Sequence, residues 1–186
     1  MVSIQEKINS HFIVAPSTLE ASFIDEFAQA VRGEIPYDSS SLNIEIWEDF
    51  LLTWLNGGVY EDKREYMKLL YHTFGEDFSY QGILYRGMRK DFEGGLYPMQ
   101  VASYSSRDEV AFYFAGTSEE YGVVEDDHGV ENVVVNVQAE GAFAFDEFIR
   151  KISSMTENRL LKAEIDCRIW EEEKIYPLPE YVLDGI

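Results

Sequence analysis

The hydrophobic period of this chain changes near Gly75, and that change limits what it can fold into more than any other feature. Before it, apolar residues recur at helical spacing. Leu19 to Arg32 sets Phe23, Phe27, Ala30 and Val31 in one stripe, with Pro16-Ser17-Thr18 as a start signal and Gly33 as a stop. Ile44 to Leu55 makes a second helix, packing Ile46, Phe50 and Trp54 or Leu51 and Leu55, and Asn56-Gly57-Gly58 ends it. Asp62 to Phe74 makes a third, with Tyr66, Leu69, Leu70 and Phe74 on one side. These aromatic stripes read as core. Met1 to Val14 is weakly amphipathic through Ile4, Ile8 and Phe12.

After Gly75 the signals are those of strands. Gly82 to Met88, Val101 to Ser105, Val133 to Gln138, Ala142 to Phe145, Leu160 to Cys167 and Glu172 to Tyr176 read as strands. Asp108 to Ala115 reads as a short helix or turn, Asp146 to Ser154 as a short helix, and the acidic Thr117 to Asn132, with Gly122 and Gly129, as a mobile loop. Helices first and strands after predict an α+β fold. The expected division of the 186 residues is one domain, with a helical lobe over 1–78 and a β-rich core over 79–186.

Composition removes several function classes. The formal net charge is -20, which repels phosphate backbones and argues against DNA or RNA as a partner. Any anionic ligand then needs a specific local cation. Cys167 is the single cysteine, so no internal disulfide forms, and its apolar-alternating surroundings predict a buried, inert thiol. His11, His72 and His128 lack metal-ligand spacing, so no metal site is expected. No basic-then-apolar leader opens the chain, and no apolar run is long enough for a bilayer, so the expected location is cytoplasmic, in the producing or a host cell.

Three stretches carry possible chemistry. Arg86 sits inside the apolar run Gly82-Ile83-Leu84-Tyr85-Arg86-Gly87-Met88. A charge there is costly unless it is paired or binds an anion, so it is either a structural ion pair or an anion site. Ser103-Tyr104-Ser105-Ser106 puts two hydroxyls on one face of a strand before a helix starts. Its plainer reading is a capping turn, Ser106 with Glu109. Trp170-Glu171-Glu172-Glu173-Lys174-Ile175-Tyr176-Pro177 runs three glutamates into a β-prone end. As a strand it places Glu171 and Glu173 on one face, roughly 6–7 Å apart, and Glu172 on the other. Such a pair raises one pKa. The plainer reading is an acidic strand end in water.

Taken in order, these stretches resemble the Arg-Ser-Glu class of mono-ADP-ribosyltransferases. Leu84-Tyr85-Arg86-Gly87 is similar to that family's first core strand, and Ser103-Tyr104-Ser105 to its Ser-Thr-Ser motif, with Val110-Ala111 keeping the spacing into the next helix. Glu171-Glu172-Glu173 running into Ile175-Tyr176-Pro177 resembles its Glu-x-Glu motif. The likeness covers Gly82 to the C-terminus, and the preceding helices fit the family's helical lobe. It implies a core of two packed antiparallel or mixed sheets, with an NAD cleft between lobe and core.

The resemblance also implies roles. NAD is the co-substrate, cleaved at the nicotinamide–ribose bond without a metal. Glu173 grips the ribose and faces the developing cation, Ser103 orients Glu173, and Arg86 neutralises the phosphates. Gly87 allows close backbone approach to the nicotinamide amide, and Tyr85 and Ser105 complete the NAD-binding set. Glu171 activates the acceptor, and a glutamate at that place goes with arginine acceptors. Trp170, by core packing or as an exposed anchor, stands at the family's target-recognition turn, and the 117–132 loop closes over NAD. Tyr104 departs from the family's threonine, and Lys174 from an apolar residue. Glu173 is taken as the second motif glutamate because Ile175-Tyr176-Pro177 then falls in register. The implied activity is arginine modification of a target protein by a phage or bacterial effector. The alternatives are an NAD glycohydrolase using the same site, and a non-catalytic acidic binding or inhibitor protein.

Overall fold

The computed structural model describes residues 17–57, 63–89, 101–115 and 132–177. The weakly amphipathic Met1–Val14 stretch, most of the 117–132 loop, Gly58, His11 and His128 lie outside them.

A 3₁₀ turn, Ala21–Ile24, leads into α1, Asp25–Arg32, and Gly33 stops α1 at φ 78°. Only glycine adopts that left-handed conformation without cost. Helix α2 spans Leu42–Leu55 and α3 spans Lys63–Phe74. Strand β1, Ser79–Arg89, and β2, Val101–Ser105, precede α4, Asp108–Ala115. Strand β3, Asn132–Phe143, is followed by α5, Phe145–Met155, and α6, Arg159–Arg168. A 3₁₀ turn, Ile169–Glu171, then enters β4, Glu173–Pro177.

The expectation of a strand over Leu160–Cys167 is wrong, because this segment is α6. Leu161, Ala163, Ile165 and Cys167 alternate like a strand, but Leu161 and Ile165 are also one helical turn apart. Only those two are buried in α6. The Asn158 side chain caps the helix, accepting from the Leu160 and Leu161 amides at 3.1 Å. Cys167 is consequently exposed rather than buried. Two positions past Ile165 it lies about 200° around the helix, on the solvent side. The proposed strand at Ala142–Phe145 divides between the end of β3 and the start of α5.

All strand pairing among the described residues is antiparallel, and the strands close in the order β1-β2-β4-β3. β1 pairs with β3 along its whole length, and β2 with β4 from Val101↔Pro177 to Ser105↔Glu173. Single bridges, Tyr85↔Ser105 and Phe143↔Ile175, join the two ribbons. The fold is thus mixed helix and antiparallel sheet, one closed sheet among the described residues rather than two packed ones.

Leu84, Tyr104, Val137, Ala139, Ala142 and Tyr176 fill a small core of the sheet. The larger core gathers Phe27, Trp47, Phe50 and Phe74 from α1–α3 with Phe143, Phe145, Phe148 and Ile165 from the second half. Phe27 stacks on Trp47 at 5.5 Å, and Phe74 meets Phe148 at 5.0 Å. Buried Glu48 fastens the halves together, accepting from Tyr37 (3.0 Å), Ser39 (2.9 Å) and Thr156. No helix among the described residues is long and apolar enough to cross a membrane.

Candidate active site

β2 and β4 run side by side with Ser105 opposite Glu173, so the serine strand lies against the glutamate turn. Glu173 is the first residue of β4 and only partly exposed. Its Oε1 accepts hydrogen bonds from the Ser103 hydroxyl and from Trp54 Nε1, the latter at 3.0 Å. Burial pushes the Glu173 carboxyl up to about 7. The Ser103 and Trp54 donors favour the ionised form and hold it down, Glu171 adds to the rise, and Arg86 opposes it. The expectation that one of the paired carboxylates is raised therefore holds, but the main cause is desolvation rather than mutual repulsion.

The strand geometry expected for the three glutamates does not occur. Glu171 ends a 3₁₀ turn and Glu172 adopts the left-handed conformation at φ 46°. That conformation is uncommon for a non-glycine residue and is found where surroundings enforce it. Here the surroundings are explicit. Lys174 Nζ donates to the Glu172 carbonyl at 3.2 Å, and the Ser106 hydroxyl donates to Glu172 Oε2 at 2.6 Å. The Ser105 hydroxyl donates to the Glu171 carbonyl at 2.6 Å. Ser106 thus serves the glutamate turn. The turn still brings Glu171 and Glu173 to common ground, since both line the same two cavities. Glu172 is directed to Ser106.

The first cavity, about 280 Å³, is lined by Tyr85, Arg86, Gly87, Ser103, Ser105, Glu171 and Glu173, with Tyr104 and three residues of α4. Arg86 Nη1 donates to the Ser103 carbonyl, and the guanidinium lies 5.8 Å from the centre of the Tyr104 ring. The tyrosine that departs from the family's threonine therefore forms a cation–π contact. Arg86 Nε is buried and has no hydrogen-bond partner among the described residues. Burial pulls its pKa below the ordinary value, against Tyr104 and Glu173. A part-buried cation with a buried, unused donor on a cavity wall suits an anionic ligand. At Gly87 a Cβ would lie 2.1 Å from the Ala111 carbonyl oxygen, so the missing side chain admits α4 against β1. That packing by itself accounts for a glycine here.

The second cavity, about 360 Å³, shares Ser103, Phe114, Glu171 and Glu173 with the first and adds Trp54, Lys63 and Arg168. Trp170 is 44% exposed, with its ring edge-on to exposed Tyr113 at 6.1 Å. It is an exposed aromatic rather than a core residue.

Two contributors escaped the sequence reading. Trp54 was assigned to core packing, and its ring does pack near Phe50 and Phe145. The signal for more was its N–H, which a buried indole has to pair. Lys174 is buried, donates to Asp146 Oδ1 at 2.7 Å and lies 5.1 Å from the centre of the Tyr80 ring. Among the described residues no cluster of His, Cys, Asp and Glu is arranged to hold a metal ion.

The fold and site define a mixed helix–antiparallel protein with a cleft joining a part-buried arginine to a carboxylate held by Ser103 and Trp54. No family model matches the chain, and no curated protein does. Two solved structures overlay on 94% of this chain and 70% of their own, both with a TM-score of 0.35. One is Vis toxin, an ADP-ribosyltransferase from Vibrio splendidus, at 18% identity. The other is the ADP-ribosyltransferase Vis in complex with M6 inhibitor, at 19% identity. An overlay that shallow carries no argument about activity, which rests on the site.

Proposed function

We propose that this protein is a mono-ADP-ribosyltransferase, cleaving NAD at the nicotinamide–ribose bond and passing ADP-ribose to an arginine of a target protein. The observation that carries the reading is Glu173, held by Ser103 and Trp54 on the wall of a cavity that also contains Arg86. Loss of nicotinamide leaves positive charge on the ribose, and a fixed carboxylate lowers that barrier as in glycoside hydrolysis. Glu173 is that carboxylate. Ser103 and Trp54 fix its position before the charge develops. Arg86 offers the dinucleotide's phosphates the local cation that a protein of net charge -20 has to supply. Tyr85, Gly87 and Ser105 line the same cavity and complete the NAD-binding wall. Glu171 accepts the proton that an attacking guanidinium must lose, since that group is not deprotonated by water. Trp170, exposed beside this turn, is the contact for the target protein.

The test is NAD turnover by the purified protein, following nicotinamide release with and without agmatine as a small guanidino acceptor. Glu173→Gln is expected to lose about 10²–10⁴-fold in both nicotinamide release and transfer. Glu171→Gln is expected to lose transfer to agmatine while still releasing nicotinamide, and Glu172→Gln to keep both. Absence of nicotinamide release from the wild-type protein refutes the reading. Release without transfer to agmatine or to any protein makes it an NAD glycohydrolase.

A further inference from the structure

Glu171 already holds a guanidinium. Arg168 Nη1 donates to Glu171 Oε1 at 2.9 Å, while Arg168 Nε reaches Glu164 Oε1 at 3.3 Å. Arg168 belongs to the last turn of α6, three residues before Glu171, so the chain itself ties the two together. An i,i+3 ion pair on a helix surface is ordinary and contributes little. This one differs in where it sits. The Glu171 side chain is only 14% exposed, and Arg168, Glu171, Ser103 and Glu173 all line the second cavity. Arg107 provides the contrast nearby. It donates to the Trp170 carbonyl at 3.4 Å and pairs with Glu109, whose side chain is 69% exposed, outside both cavities.

We infer that Arg168 is a built-in acceptor, the site at which this protein ADP-ribosylates itself. The inference rests on the transferase reading of the same site. The bond from the ribose anomeric carbon to the nicotinamide nitrogen breaks, and its electron pair leaves with neutral nicotinamide. A nitrogen of Arg168 forms the new bond to that carbon. The guanidinium proton it gives up passes to the Glu171 carboxylate and then to water. The modified guanidinium keeps one positive charge, so atoms and charge balance. Tethering removes the bimolecular cost that a free acceptor has to meet, and in favourable geometries effective concentrations reach about 10⁵ M or more. A target arginine has to displace Arg168 from Glu171 before it can react, so self-modification competes with transfer.

The test incubates the full-length protein with NAD alone, measures nicotinamide release and maps ADP-ribose by peptide mass spectrometry. The expected result is ADP-ribose on Arg168, at a rate per chain that does not change with protein concentration. Arg168→Lys is expected to lower incorporation to the level of the Glu173→Gln control. When Glu173→Gln protein is mixed with Arg168→Lys protein and NAD, the Arg168 of the inactive chain is expected to stay bare. Nicotinamide release with Arg168 unmodified, or with the label on Arg107 instead, overturns this inference, and transfer to agmatine by the same protein shows that the transferase reading still stands. Labelling of the inactive chain at Arg168 overturns the intramolecular assignment. No nicotinamide release overturns both readings together.

Discussion

At the scale of single residues, the chemistry turns on how Glu173 is solvated. Its carboxyl is pushed up to about 7 from an ordinary 4.5 because it is buried, although two donors support its ionised form. The sign of the consequence follows from linkage. Below about pH 4.5 the carboxyl is protonated in both folded and unfolded chains and costs nothing. Between 4.5 and 7 the unfolded chain ionises first, so stability falls as pH rises. Above 7 the full penalty applies, about 3 kcal/mol at 1.36 kcal/mol per pKa unit. Glu173→Gln is therefore expected to stabilise the fold by up to about 3 kcal/mol at pH 8 and to leave it nearly unchanged at pH 4. Urea unfolding at the two pH values checks this, and an equal effect at both would refute it. NAD cleavage has the opposite dependence, because it needs the carboxylate: the rate is expected to fall about tenfold per pH unit below 7. Trp54→Phe keeps an aromatic ring but removes the donor, so its midpoint should lie above that of the wild type. None of this could be computed from three adjacent glutamates. Their spacing marked the site, but burial raises the carboxyl, and the Trp54 donor that opposes the rise comes from α2, 119 residues away in the chain.

At the scale of elements, the site depends on two close fits. The first is α4 against β1. A Cβ on Gly87 would lie 2.1 Å from the Ala111 oxygen and 2.5 Å from the Ala115 nitrogen, both backbone atoms that cannot swing aside. Gly87→Ala must separate strand and helix, and overpacking of that kind costs about 1–3 kcal/mol or more. α4 also carries Phe114, which lines both cavities, so weaker NAD binding is expected with the loss of stability. Urea midpoints and calorimetric NAD titration measure the two effects. Unchanged values in both would show that the helix can move freely. The second fit is the pair of buried Lys174 and Asp146, which ties the left-handed turn at Glu172 to the first turn of α5. Element positions on the β side were legible for β2 and α4, which begin and end where their patterns predict. α6 was not, since alternation over a few residues does not separate a strand from a helix whose inward positions are few.

At the scale of the whole molecule, the helical part and the strand part are not independent. Phe27, Trp47, Phe50 and Phe74 share one core with Phe143, Phe145, Phe148, Ile165 and Ile175. Each fully buried side chain of this size contributes about 1.5–3 kcal/mol of burial. Removing the first 78 residues would expose one side of that core. A fragment starting at Ser79 is expected to show no cooperative thermal transition by circular dichroism, whereas the full chain shows one. Cooperative unfolding of the fragment would mean that the division at residue 78 separates two self-sufficient units. The dependence has a functional side, because Trp54 can donate to Glu173 only while α2 is docked.

The sequence alone determined the helices before Gly75, the strands β1 and β2 and the helix α4 after it, the net negative charge and the residue types at the cleft. Those depend on local period, on composition and on short motifs, each readable within a few residues. It also placed Arg86, Ser103, Glu171 and Glu173 in one hypothesis, and the structure puts all four on one cavity wall. Tertiary structure alone decided how they are held. Glu172 takes a left-handed turn rather than a strand conformation, Lys174 is neutralised by Asp146, and Trp54 reaches the carboxylate from another helix. The physical reason is that burial, ion pairing and a buried donor's choice of partner are set by groups brought together in space, and sequence distance carries no record of them.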